Sequence, residues 1–275
     1  MASCPRRKSR SAPALAGVLV LALGACSPPA FQAGSRPLRV FAPWCMEKRL
    51  RRVVELFQEK RPATPVRFTT GTPGQLIKRL RAGERPDVYV AMGPAEFEAI
   101  EWMGLAGAHE PKEILRQTLL LAVRAEATDT VRELRDLAKQ QVHAVGLGRA
   151  TLTSGRRGRA ALRRLGILEA VAAKARPSPL RRLVLGEVHA AVLYEQCCYQ
   201  EDLHVGELAL RRDIAFARPL PRELCEPFPV LAAALGHEGA HPHAAVFVQT
   251  LRTRRAQDIL ARRGEWSCPV CEMEP

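Results

Sequence analysis

Short apolar runs of strand length alternate with stretches of helical period along most of the chain. Leu38-Arg39-Val40-Phe41-Ala42 is a strand candidate that Pro43 stops. From there Met46, Leu50, Val53, Val54 and Phe57 recur at helical spacing, with Arg and Lys on the other face. Residues 65–70 predict a second strand, and Gly71-Thr72-Pro73-Gly74 a tight turn before a short helix through Leu76, Ile77 and Leu80. Residues 88–91 predict a third strand, after which Pro94 opens a helix through Phe97, Ile100 and Met103. The alternation continues with strands at 119–123 and 143–147, helices at 131–139, 158–165, 168–174 and 180–185, and a buried strand at 190–194. A strand at 230–235 and helices at 243–254 and 256–263 close the pattern. This order predicts an α/β fold with mostly parallel sheets covered by helices, arranged as two doubly wound lobes with a hinge. In such sheets a ligand sits beyond the carboxyl ends of the strands.

The first segment follows a different logic. Arg6, Arg7, Lys8 and Arg10 precede an apolar stretch at 14–23 that is too short to span a bilayer. It ends in Leu23-Gly24-Ala25-Cys26, which resembles a bacterial lipoprotein signal. Residues 1–25 are therefore expected to be a signal peptide, Cys26 the lipidated residue, and 26–36 a tether. The expected product is exported and anchored by lipid to a membrane, facing the periplasm or the cell exterior. The full chain holds 42 Lys and Arg against 28 Asp and Glu. Much of that excess sits in pairs such as Arg51-Arg52, Arg156-Arg157, Arg163-Arg164, Arg181-Arg182 and Arg254-Arg255, which read as solvated helix faces. With 5% aromatic residues and no nucleic-acid motif, the charge does not indicate a nucleic-acid partner.

Export changes the reading of the cysteines. Cys45, Cys197, Cys198, Cys225, Cys268 and Cys271 remain beyond the lipidation position, in a compartment that permits disulfides. Six sulfurs fit three bridges and metal ligation equally well. Cys268-Pro269-Val270-Cys271 has the spacing of a redox pair or of half a metal site, and His237, His241 and His243 have a spacing that metals use. No Ser/His/Asp set or carboxylate pair marks a hydrolytic site.

Several local patterns together resemble the molybdate-binding proteins of ABC transporters. The opening strand 38–42 before an amphipathic helix is one, and Arg81-Ala82-Gly83-Glu84-Arg85-Pro86-Asp87-Val88-Tyr89-Val90 is similar to that family's AGxxADVF segment. The strand at 117–123 resembles the passage into a second lobe, and residues 186–194 are similar to GEADAGIVY. Phe228-Pro229-Val230, residues 256–260 and Gly264 resemble the return and the closing helix. The resemblance implies a type II periplasmic-binding-protein-like fold, with lobe I from 37–117 plus 228–267, lobe II from 118–227, and a Cys-containing tail at 268–275. It implies a monomer that binds molybdate or tungstate without catalysis or cofactor and delivers it to a permease.

The same resemblance implies the ligand set. Donors would come from Cys45, from Thr70 and Thr72, from Ser154 in the turn Thr153-Ser154-Gly155, from the backbone near Ser178, and from Tyr194. Cys45 departs from the family's serine, and a thiol is a weak donor. Placed at a helix start, its pKa is expected to fall toward thiolate, which repels an anion and attracts a soft cation. Cys45 with Cys197 and Cys198 is thus an alternative site for a soft metal ion. A third reading is an extracytoplasmic thiol oxidoreductase, and purely structural roles for the sulfurs stay open beside these.

Overall fold

A computed structural model describes residues 36–107, 109–198 and 214–261. The signal segment, Cys26, the tether up to residue 35 and the 268–275 tail with its CxxC pair lie outside the described residues. Among the described residues no helix is long and apolar enough to cross a membrane.

Two five-stranded sheets form the frame. The first contains β1 (Leu38–Pro43), β2 (Val66–Gly71), β3 (Val88–Ala91), β4 (Lys112–Gln117) and β10 (Phe228–Ala234), in the order β2-β1-β3-β10-β4. The second contains β5 (Leu119–Arg124), β6 (Val145–Gly146), β7 (Ala175–Arg176), β8 (Ala190–Tyr194) and β9 (Ile214–Pro219), in the order β7-β6-β8-β5-β9. Helices α1 (Glu47–Lys60), α2 (Pro73–Arg81), α3 (Pro94–Trp102), α8 (Ala244–Leu251) and α9 (Arg254–Ala261) cover the first sheet. The second carries α4 (Thr153–Arg164), α5 (Leu168–Ala172), α6 (Pro179–Val184) and α7 (Glu195–Cys198).

The sheets are mixed, not mostly parallel. β1 pairs in parallel with β2 and β3, and β6 with β7 and β8. β10 runs antiparallel to β3 and β4, and β5 antiparallel to β8 and β9. The cause is connectivity. β4 passes through Thr118 straight into β5 of the other sheet, without a helix to bring it back alongside. Two further expectations are corrected. Residues 131–139 hold only a 3-10 turn at Leu134–Ala138, because the Asp136 carboxylate accepts from the backbone N–H of Arg132 (2.9 Å) and Glu133 (3.1 Å) and tightens the chain. Thr153-Ser154-Gly155 is the first turn of α4, not a free turn.

Burial explains why the strand runs form. β3 and β8 are buried at every residue, so both faces carry apolar side chains. Leu50, Val53 and Phe57 of α1 are buried in one core with Val40 and Ala42 of β1, each large side chain contributing roughly 2 kcal/mol. Asp87 opens β3 as a fully buried carboxylate. It accepts from both Arg36 guanidinium nitrogens (2.7 and 2.8 Å) and from the backbone N–H of Arg39 (2.8 Å) and His241 (2.9 Å). Burial opposes its charge, yet these donors outweigh burial and hold the carboxyl below its usual range. The Asp of the 81–90 segment thus ties the start of β1 and the loop before α8 to β3.

Candidate functional site

The carboxyl ends of β1, β2 and β3 each lead into a helix start, and so does that of β6. After β1, Pro43 sends the chain into a 3-10 turn at Trp44–Met46 before α1. After β2, Thr72 caps α2 by accepting from the Gln75 N–H, while the Gln75 side chain accepts from the Thr72 N–H. After β3, Gly93 and Pro94 start α3, and Pro94 supplies no N–H where none is needed. From the other sheet, α4 begins at Thr153 and β8 ends at Tyr194.

The start of α4 meets the start of α3. The Tyr194 hydroxyl accepts from the Ser154 N–H (3.0 Å) and donates toward Glu96 Oε1 (3.4 Å). The Thr153 hydroxyl donates to Glu96 Oε2 (2.7 Å), the Thr153 N–H reaches Oε1 (3.4 Å), and the Ala95 N–H reaches Thr153 Oγ1 (3.3 Å). Glu96 is 1% exposed and Thr153 2%. Thr153 and Tyr194 of the other lobe hold this carboxylate, with its own backbone N–H adding to them, so an oxygen pair of the chain sits on donors of the kind an anion requires. Burial pushes the Glu96 carboxyl up, and bonds from Thr153 and Tyr194 draw it only part of the way back. The same burial raises Tyr194 and Tyr89, with the nearby Glu96 charge adding to both, so the phenols stay neutral. Tyr89 Oη is buried without a partner, as is Gln117 Oε1, while Gln117 Nε2 donates to the Met92 carbonyl (2.8 Å).

Sulfur gathers beside this contact. Cys45 is 7% exposed, with Sγ 3.9 Å from Met92 Sδ and hydrogen-bonded to the Cys197 thiol. The expected thiolate is not supported. The bond to Cys197 and burial hold the Cys45 thiol well above its ordinary pKa, and Arg49 offsets this only in part. Cys45 lies inside a buried 3-10 turn, where its own backbone N–H draws the thiol down by less than the Cys197 bond and burial push it up. Cys45, Cys197 and Cys225 are free thiols. Cys198 stands on the last residue of α7.

Thr70 is half-buried at the end of β2 opposite Ala42, and Thr72 is exposed as the α2 cap, near lobe II through Gly74, whose Cβ position would lie 3.7 Å from Leu152. Ser178 is exposed, adopts φ 61°, and caps α6 without a side-chain bond. Among the described residues it shares no hydrogen bond with the Ser154–Tyr194 group. The histidines serve the fold. His237 contacts the Pro86 and Glu238 carbonyls, His241 Nδ1 accepts from the His243 N–H, and His243 pairs with Thr64. Among the described residues no three His, Cys, Asp or Glu side chains gather as a metal shell. Of the Arg pairs, Arg51 meets Glu47, Arg156 meets Glu98 and Arg255 meets Glu59, while Arg157 lies over the Phe228 ring.

Sequence reasoning missed Glu96, Thr153 as a side-chain donor, Tyr89 and Met92. A Glu in the first turn of a helix ordinarily reads as exposed and favourable to the dipole. The available signal was Gly93-Pro94 directly after a buried strand, which puts the start of α3 at a sheet's carboxyl end.

No curated protein sequence matches the chain. Among solved structures it is similar to the periplasmic molybdate-binding protein of Azotobacter vinelandii, at 15% identity and a TM-score of 0.64 over 82% of this chain and 97% of that one. It is similar to the sulfate-binding protein of Mycobacterium tuberculosis at 13% identity and a TM-score of 0.65, covering 84% of this chain and 86% of that one. The ferric binding protein of Campylobacter jejuni aligns at 14% identity and a TM-score of 0.56, over 81% and 83%. At these identities the likeness establishes the two-lobed periplasmic-binding-protein fold. The family model of the bacterial extracellular solute-binding protein matches residues 38–264, and the chain belongs to the bacterial extracellular solute-binding protein family.

Proposed function

We propose that the chain is the solute-capturing lipoprotein of an ABC importer and that it holds a small oxyanion of the molybdate or tungstate type between its lobes. The observation that carries this reading is the donor set of the Thr153 N–H and hydroxyl and the Tyr194 hydroxyl, which converges on carboxylate oxygens of the facing lobe, with the Ser154 N–H holding the Tyr194 hydroxyl from behind. Orphan N–H groups at a helix start and neutral hydroxyls bind an oxyanion without a full countercharge. The molybdate-binding and sulfate-binding proteins among the structural neighbours support the same class. Lipid attachment at Cys26 would hold the protein at a membrane facing the periplasm or cell exterior, and hinge closure would present the loaded form to the permease. Titration calorimetry of the purified protein with molybdate, tungstate and sulfate tests the reading. Saturable one-to-one binding is expected, and no heat with any oxyanion under any condition would end it.

A second reading rests on the sulfur contact. Cys45, Cys197 and Met92 offer thiol and thioether ligands of the kind that select Cu(I), and deprotonation on binding would overcome the raised thiol pKa. Cu(I) retained against a competing chelator, and lost in Cys45→Ser, would favour this reading over the oxyanion.

A further inference from the structure

We propose that Glu96 is a resident stand-in for the solute and that the oxyanion enters together with one proton, which Glu96 takes up. This rests on the oxyanion reading and adds how the site admits and selects its guest.

Glu96 belongs to lobe I, on the first turn of α3, yet its carboxylate is held by Thr153 and Tyr194 of lobe II. An oxyanion that takes the Thr153, Ser154 and Tyr194 donors must displace those oxygens. Glu96 is buried in the closed molecule between Ala95 and Phe97, which are themselves buried, so closure over a guest buries it again. A carboxylate shut against a dianion places like charges side by side away from water, which disfavours ionisation of the weaker acid. A protonated Glu96 removes the repulsion and becomes a donor to the guest.

The surroundings fit this exchange. Tyr89 presents a buried, unpartnered hydroxyl near Glu96, a donor in wait for an acceptor. Among the described residues Glu96 acts on Tyr89 of β3 and on Tyr194 of β8, both neutral phenols, and Tyr194 bonds it in return. Cys197 of α7 acts on Tyr194 and on Cys45, one step removed. Arg156 of α4 is engaged by Glu98 at the rim (2.5 Å), Arg157 lies over Phe228, and Arg159 donates to the carbonyls of Gly148 (2.5 Å) and Gly155 (3.3 Å). On α2, Lys78, Arg79 and Arg81 are exposed, and β10 has no titratable side chain. Among the described residues no Lys or Arg bonds the Glu96 carboxylate, and a proton is the means of neutralising it that these residues leave.

The test measures tungstate binding by calorimetry between about pH 6 and 8, where tungstate stays a full dianion, in two buffers of different ionisation enthalpy. The wild type is expected to take up one proton per tungstate above the Glu96 pKa, with affinity falling about tenfold per pH unit. Glu96→Gln, which carries a permanent donor of the same shape, is expected to bind at least tenfold more tightly at the upper pH and to show no slope. Proton uptake of zero in the wild type would overturn the inference while leaving the oxyanion reading in place, and this arm needs no variant. Loss of binding in folded Glu96→Gln would also overturn it, since Glu96 would then be a required acceptor. Failure of both proteins to bind tungstate, molybdate or sulfate at any pH would remove the oxyanion reading, and the inference with it.

Discussion

Gly93→Ala separates closure of the lobes from stability of either lobe. Gly93 has φ 162°, an extended backbone that alanine adopts without penalty. A Cβ placed there would lie 2.5 Å from Thr153 Oγ1 and 2.7 Å from its Cβ, with Cγ2 closer still. Ordinary contact starts near 3.4 Å, so roughly 1 Å of relief is required. Thr153 belongs to the other lobe, and parting the lobes supplies that relief without distorting either sheet. Overpacking of this kind costs about 1–3 kcal/mol, here charged to the closed form alone. Tungstate affinity should therefore fall about 5- to 150-fold. Small-angle scattering of the ligand-free variant should show a larger radius of gyration, with Tm within about 2 °C of the parent. Gly155→Ala is the internal control. Its added carbon would strike the Arg149 carbonyl within lobe II, so it should lower Tm outright. Equal affinity and an unchanged scattering profile for Gly93→Ala would refute the closure argument.

Three further outcomes follow from the same structure. Asp87→Ala leaves the Arg39 and His241 N–H groups without their buried acceptor and frees Arg36, and should cost roughly 2–4 kcal/mol by denaturant unfolding. Because the folded pKa of Asp87 is depressed, its contribution is present above the unfolded value near 3.9 and is lost as pH falls through the folded one, so Asp87→Asn should flatten the acid limb of stability. Tyr194→Phe removes the hydroxyl that links Ser154 and Glu96, and calorimetry should show tungstate binding weakened about tenfold or more. Cys45→Ser replaces a weak donor with a stronger one, so tungstate affinity should rise severalfold, whereas under the metal reading Cu(I) retention should vanish.

The alternation of strand and helix was legible where burial is complete. β3, β5 and β8 are apolar runs because both faces are covered, and in β1 only Arg39 is exposed within an otherwise buried strand. β4, Lys112–Gln117, is half exposed at a sheet edge and reads as polar, so its sequence does not announce a strand. β9, Ile214–Pro219, is also an edge strand and ends in Arg218 and Pro219. The mixed sheets were not legible, since strand direction depends on which sheet a crossover enters. In the cleft, the resemblance named Ser154 and Tyr194, and the structure joins them by one hydrogen bond. Glu96 escaped notice because its role comes from a facing lobe, a long-range relation that local pattern does not carry. The sequence position of Cys45 at a helix start predicts a thiolate, while a neighbouring thiol and burial, both tertiary, decide its state.

The most direct measurement is the anomalous signal of tungsten in crystals of this protein grown with tungstate. One strong peak is expected between the lobes, within hydrogen-bond distance of the Ser154 N–H and the Tyr194 hydroxyl, with Glu96 displaced from Thr153. A peak confined to the outer surface, with the Glu96–Thr153 bond intact, would contradict an oxyanion site built from α4 and β8.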